Sequence, residues 1–494
     1  MQFVPDTPPV PGELAALHAV NARLCATNAE LRLVVQAKDT EIAALRGDVE
    51  QLRAQVADLA ARVMQNSKNS SRPPSSDGLG KPAPASLRKK TGRGPGRPKG
   101  QQGKTLKLTD RPDHVIRHEP GCCGGCARDL AGAEEAGIER RQVIEIPPVT
   151  AEVTEHQMIG RRCGCGTVTW GQAPTGVRAP VQYGPRAAAL GTYLWHGQFL
   201  SRDRACAALG EMFGCAPSPA ALAAMARKIA AFITPALDVI IKALTAAGVA
   251  HFDETGFRVA GTLAWVHSAS SGKHVLVTVH EKRGTEGMDA AGVLPSFAGI
   301  ACHDAWKPYD SYHDVAGHAL CNAHLLRELT AVTQTGTEDD VIWAQQAIDA
   351  LLALKDAADA AREAGHGTAD PHIIQKQSRY FTDAAAAGIV INAARGGKLQ
   401  KKRHALATRM RDRAGDYLRF AADLRVPFDN NKAEQVIRMS KLRIKVSGCM
   451  RSMTGAETFC AIRSYLATAT RHGIGWLDAL TRTAEGNPWI PDTT

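Results

Sequence analysis

From Leu14 to Gln65 the chain repeats every seven residues and contains no proline. Leu17, Leu24, Leu31, Leu45, Leu52 and Leu59 form one seam, interrupted by Lys38. Leu14, Asn21, Asn28, Val35, Ile42, Val49, Val56 and Val63 form the other. β-Branched residues on one seam and leucine on the other favour a parallel two-stranded coiled coil, and the asparagines fix its register. The first 66 residues are therefore read as a self-association region, and the chain as a homo-oligomer.

The heptads stop at "NSKNSSRPPSSDG", where serine, asparagine and proline mark a linker. Residues 67–111 form a basic arm rich in Pro and Gly. Its stretch from 81 to 111 holds ten Lys or Arg and one Asp. "GRGPGRPKG" is similar to arms that place Arg in a DNA minor groove, and Arg93, Arg97 and Lys99 are its candidate DNA contacts. A solvated basic tail is the plainer alternative, and both give salt-sensitive phosphate binding. The whole chain carries a formal net charge of +11, which favours a polyanionic partner.

Residues 112–175 hold two cysteine knuckles, Cys123-x2-Cys126 and Cys163-x-Cys165, 36 residues apart. Four thiolates suit a tetrahedral structural Zn²⁺. The intervening sequence reads as β-rich, with room for a hairpin between the knuckles. His118, Cys122 or His156 could replace one ligand, and free surface thiols are the alternative. Residues 176–247 read as helical, with Ser218 an N-cap before Pro219. The region fits a helix-turn-helix or an ordinary helical hairpin.

From residue 248 the period becomes that of strands. "GVAHFD", "LAWVHSAS" and "KHVLVTVH" are three strand candidates, and "AGIACHDAWKPYD" is a fourth. Two apolar strands are thus expected to end on Asp253 and Asp304. Residues 338–425 have helical period and Ala-rich faces. A helix starting at Asn431 carries Glu434, Arg438 and Lys441 on one face. Asp253, Asp304 and Glu434 could hold two Mg²⁺ or Mn²⁺ ions, because Mg²⁺ prefers carboxylate oxygen and such pairs drive in-line displacement at phosphorus. Arg438 and Lys441 would contact phosphate. Glu254, Asp310, Asp314 and Asp429 compete for the acidic roles. "CNAHLLREL" offers Cys321, His324, Arg327 and Glu328, either as a second zinc site or as a lining of the acidic pocket.

The segments "NSKNSSRPPSSD", "APVQYGP", "HFDETGFRVAG", "HDAWKPY", "CNAHLLREL" and "FDNNKAEQVIR" together resemble the DDE transposases of the insertion sequence 66 family. The resemblance implies a multidomain α+β protein: an N-terminal coiled coil, a small zinc-binding β module and a ribonuclease H-like catalytic domain whose first part is residues 248–337, whose helical insertion is 338–425 and whose completion, with C-terminal helices, is 426–494. It matches Asp253, Asp304 and Glu434 to the three acids and the cysteine cluster to the zinc segment, whose second knuckle is tighter here than C-x2-C. It implies binding of terminal inverted repeats and target DNA, metal-dependent strand cleavage and strand transfer, and accessory proteins from the same element. The alternatives are a non-catalytic zinc-containing DNA-binding regulator, a metal-dependent nuclease that cuts without joining, and a scaffold. No apolar run reaches the roughly 18 residues that span a bilayer, and the N-terminus lacks a signal-peptide pattern, so a cytoplasmic location is expected.

Overall fold

The computed structural model describes residues 11–70, 106–393 and 396–492. Arg93, Arg97 and Lys99 lie outside the described residues. The heptad region is one helix, α1 (Pro11–Val63), about 80 Å long at 1.5 Å per residue. Both of its seams face solvent, including Leu17, Leu24, Leu31, Leu45 and Leu52. Helix propensity alone holds such a length poorly, and an apolar seam of this kind is stable when covered.

The stretch between the knuckles departs from the β-rich expectation. Only two three-residue strands form, β1 (Gly160–Arg162) and β2 (Val168–Trp170), paired antiparallel. They flank the second knuckle rather than filling the space between the two. The apolar residues read as strand faces, Val143, Ile144, Ile146 and Val153, remain exposed. A strand pattern needs a ladder partner and a core to bury its apolar face, and these residues meet neither.

Four helices follow: α2 (Pro185–Thr192), α3 (Arg202–Phe213), α4 (Pro219–Phe232) and α5 (Thr234–Thr245). The Ser201 and Ser218 side chains cap α3 and α4 by accepting from Arg204 N and Ala221 N. Gly214, at φ 67°, ends α3 in the left-handed conformation that glycine adopts without strain. These helices pack with the C-terminal helices α13 (Met453–Arg471) and α14 (Trp476–Ala484) around Ile229, Ile233, Tyr465, Leu466 and Leu480.

The centre of the chain is a mixed five-stranded sheet. Its strands are β3 (Val249–Val259), β4 (Thr262–Ser270), β5 (Val275–His280), β6 (Ile300–His303) and β7 (Gly317–Leu320), in the order β5-β4-β3-β6-β7. β3, β4 and β5 are antiparallel neighbours, whereas β3–β6 and β6–β7 are parallel. β3 does not end at Asp253. It runs six residues further and turns into β4 through Ala260 and Gly261, both at positive φ, the backbone that a two-residue hairpin demands. The expected strand end is correct for β6, which stops at His303, immediately before Asp304.

Helices cover both faces of this sheet. On one, α12 (Asn431–Ser447) and α13 enclose Phe257, Val266, Val277 and Phe459. On the other, α5 and α6 (Thr285–Ala290) enclose Phe252, Leu276, Met288 and Phe297. Beyond β7 come α7 (Asn322–Thr335), α8 (Glu338–Glu363), α9 (Pro371–Ala393), α10 (Lys398–Asp412) and α11 (Ala414–Ala422). They form a helical body around Trp343, Leu351, Phe381 and Phe420. Within it the buried Asp340 pairs with Arg403 at 3.0 Å and accepts from Trp343 and Asn392. Among the described residues, no helix is long and apolar enough to cross a membrane.

Candidate active site at the carboxyl ends of the parallel strands

β3 pairs with β4 along nearly its whole length, yet its ladder with β6 covers only Val249–His251. Past His251 the β6 side of the strand opens. The chain leaves β3 towards β4 on one side and β6 towards β7 on the other. In sheets with parallel strands, such a divergence creates a crevice beyond the carboxyl ends. Asp253 stands on one lip of it and Asp304 on the other.

The third acid arrives from α12. Asn430, just ahead of this helix, rivets it to the crevice. Its side-chain amide donates to Phe252 O at 2.7 Å, its Oδ1 meets His251 Nδ1 at 2.8 Å, and its backbone N–H donates to Cys321 Sγ at 3.2 Å. The Phe428 carbonyl accepts from Asn322 N at the start of α7. These bonds join the loop to β3 and to the β7–α7 junction, and set Glu434 in the first turn of α12. Sequence reading missed Asn430; its signal was the polar "DNN" directly before an amphipathic helix.

Electrostatics links the three acids. Burial, and then the charges of Glu254, Asp304 and Glu434, push the Asp253 carboxyl up to about 8. Asp253 Oδ1 accepts from Glu254 N at 2.9 Å, and Asp304 Oδ1 accepts from Trp306 N at 3.0 Å. Glu434 Oε1 is buried with no hydrogen-bond partner. A crowded pocket of carboxylates in which Asp253 and Asp304 accept from backbone N–H groups and one Glu434 oxygen has no donor is a fit environment for a divalent cation, which would relieve the repulsion.

The competing acids are differently engaged. Glu254 Oε1 accepts two bonds from Arg283, at 3.1 and 2.7 Å, and its Oε2 accepts from the Tyr309 hydroxyl at 2.7 Å. Arg283 is itself held over the Trp306 ring, 3.9 Å from its centroid. Both Glu254 oxygens are thus occupied, and the residue acts as a buttress beside Asp253. Asp310 pairs with Arg413 at 2.6 Å, and Asp314 is exposed. Asp429 accepts from Asn431 N and Nδ2, and burial raises its carboxyl.

Arg438 and Lys441 both lie exposed on α12, beyond Glu434. In "CNAHLLREL", Cys321 stands at the N-cap position of α7 without a side-chain capping bond, His324 Nε2 lies 3.8 Å from Glu434 Oε1, and Glu328 pairs with Arg409 at 2.7 Å. Cys321, His324 and Glu434 bring their donor atoms within 4.8 Å of one another. Asp253 and Asp304 do not belong to that tighter group.

The N-terminal cysteines form two separate turns. Cys123 N donates to Arg128 O and Ala127 N to Cys123 O; Cys163 N donates to Thr167 O and Gly166 N to Cys163 O. Hydrogen bonds from the Gly125 and Cys126 backbone lower the Cys123 thiol, and Thr167 with Cys163 pulls Cys165 down to about 7. One thiol in each turn, Cys123 and Cys165, is therefore disposed towards thiolate, although among the described residues the four sulfurs do not gather within 4.8 Å.

Comparison with protein families adds two findings. The model described as Transposase IS66 family matches residues 180–458, more than half of the chain. A family of unknown function, DUF6444, matches residues 17–107, which contain most of the heptads and the basic arm. Comparison with curated proteins finds no match.

Proposed function

The chain belongs to the IS66 transposase family, and from that premise we propose that it is a DDE-type nucleotidyltransferase acting in the cytoplasm on the ends of its own element. The single observation that carries the reading is the crevice beyond the carboxyl ends of β3 and β6, where Asp253, Asp304 and the α12 residue Glu434 converge; the Asp253 carboxyl, raised first by burial and then by Glu254, also feels the charges of Asp304 and Glu434. The mixed strand order, with a helical body between the second and third acids, supports a ribonuclease H-like domain.

Asp253, Asp304 and Glu434 would hold Mg²⁺ or Mn²⁺. Two such ions, when bound, activate the attacking oxygen and stabilise the leaving one. The residues then have distinct tasks. Asp253 and Asp304 approach from the crevice lips, and Glu434 closes the pocket from α12. Arg283 and Tyr309 keep Glu254 turned away from the cation pocket, while Arg438 and Lys441 bind backbone phosphate. In the first step water attacks phosphorus and a 3′-hydroxyl leaves. In the second, that hydroxyl attacks a target phosphodiester and displaces its 3′-oxygen, forming one bond for each bond broken.

The N-terminal half would assemble and anchor the complex. α1 pairs two chains through its exposed seams. Arg93, Arg97 and Lys99 bind DNA, and Cys123, Cys126, Cys163 and Cys165 take one structural Zn²⁺ once the two turns close on each other. Accessory proteins of the same element would complete the assembly. The test is an assay of the purified chain with Mg²⁺, a donor carrying the sequences that flank its coding region, and a target plasmid. Joined donor–target products are expected. Nicks without joining would identify a nuclease, and tight binding without cleavage a regulator.

A further inference from the structure

The donor set beside Glu434 is unlike the rest of the acidic pocket. Cys321 supplies a buried thiol, His324 an imidazole and Glu434 a carboxylate, all within 4.8 Å of one another. Cys321 and His324 sit three residues apart at the start of α7, a spacing that puts both on one helix face. Glu434 Oε1 is buried there without a hydrogen-bond partner, and His324 Nε2, the ring nitrogen facing it, lies 3.8 Å away. Buried polar atoms are ordinarily paired, so the orphaned carboxylate oxygen calls for a missing partner.

Mg²⁺ is a poor candidate, because it takes hard oxygen donors in octahedral geometry. Thiolate, imidazole and carboxylate together suit a softer, tetrahedral ion. A tetrahedral Zn²⁺ needs nitrogen–oxygen edges of roughly 3.3 Å and edges to sulfur of roughly 3.5 Å. The His324–Glu434 separation of 3.8 Å is about half an ångström wider than that, so the ion would draw the two side chains together, with Cys321 within 4.8 Å of both. Burial pushes the Cys321 thiol up to about 12, offset only in part by the Asn430 N–H directed at its Sγ, so the bound ion itself would displace the proton. On binding, the thiol would release its proton to solvent.

We propose that Cys321, His324 and Glu434 form a Zn²⁺-class site that shares Glu434 with the magnesium pocket, so that zinc occupancy withdraws the third carboxylate and inhibits the enzyme. The inhibitory part rests on the transposase reading; the binding part does not. Three protein ligands leave one position open, as in exchangeable sites rather than closed structural ones.

The experiment uses the full chain, freed of metal by chelation and then dialysed against Zn²⁺, with bound metal measured per chain. Co²⁺ serves as the spectroscopic probe through its thiolate charge-transfer band. The wild type is expected to bind one equivalent more than either Cys321→Ser or His324→Gln. That loss should add to the loss caused by Cys123→Ser, which separates this site from the N-terminal knuckles. His324→Gln changes a half-exposed side chain, so it keeps the test valid if Cys321→Ser fails to fold. Equal zinc content in the wild type and the His324 variant would overturn the site. In Mg²⁺, one further equivalent of Zn²⁺ is expected to slow wild-type strand cleavage roughly tenfold or more. Zinc bound in the expected amount without slowing cleavage would overturn the shared-ligand claim. Because metal content is measured without DNA, failure of the transposase reading would appear separately, as absent cleavage in Mg²⁺ alone.

Discussion

Asp253 is where the charge balance of this protein is least comfortable. Its folded-state value of about 8 lies above the ordinary carboxyl value of 3.8. Between those values the folded chain holds a proton that the unfolded chain has released. This contribution to stability is therefore complete below pH 4 and is lost as the pH rises through 8. Asp253→Asn removes the conflict. At pH 8 without divalent cation it should stabilise the chain by about 1 kcal/mol, as relief of functional-site strain commonly does. Thermal melts from pH 5 to 9 will check this: the difference between variant and wild type should grow with pH. Mg²⁺ should raise the wild-type melting temperature more at pH 8 than at pH 6, and that gain should vanish in the variant. A pH-independent difference would mean that Asp253 ionises normally and feels no neighbouring acids.

At the scale of elements, α1 shows what periodicity can and cannot deliver. The seven-residue repeat specifies a helix, and the helix spans Pro11–Val63. The exposed leucines then demand a partner, here proposed to be a second chain. Leu24→Lys with Leu31→Lys puts four cations into one seam of a paired coil. Sedimentation equilibrium should show the wild type as a dimer or larger and the variant as a monomer. A variant that associates like the wild type would place self-association elsewhere. The strands of the central sheet were legible because short apolar runs closed by Gly-bearing turns have few other solutions. The end of β3 was not, because a carboxylate looks like a terminus when its compensating partners come from far along the chain. Glu254 looked like a competing ligand for the same reason: Arg283 and Tyr309, which occupy it, are 29 and 55 residues away. The region between the knuckles failed in the opposite direction, since Val143, Ile144, Ile146 and Val153 alternate or cluster as strand residues do but find nothing to pack on.

Across the whole molecule, the excess of basic residues is concentrated in the arm at 81–111 and in the stretch from 398 to 451, which holds fifteen Lys or Arg against five Asp or Glu. Replacing Arg93, Arg97 and Lys99 with Gln together should weaken binding to all DNA sequences alike. It should also flatten the slope of log affinity against log salt by roughly 2–3 units, about 0.9 for each phosphate no longer neutralised. An unchanged slope would mean that the arm does not touch the backbone. Assembly, anchoring and chemistry are thus proposed for separate parts of the chain, with the chemistry proposed for three acids drawn from β3, the end of β6 and α12. The direct measurement is strand transfer of element ends into target DNA in Mg²⁺ by the wild type and by Asp253→Asn, Asp304→Asn and Glu434→Gln. Metal ligation of this kind contributes several kcal/mol to the transition state, so each variant should lose roughly 10³-fold or more while still binding the ends. Strand transfer at the wild-type rate by any one of the three would contradict a shared metal pocket.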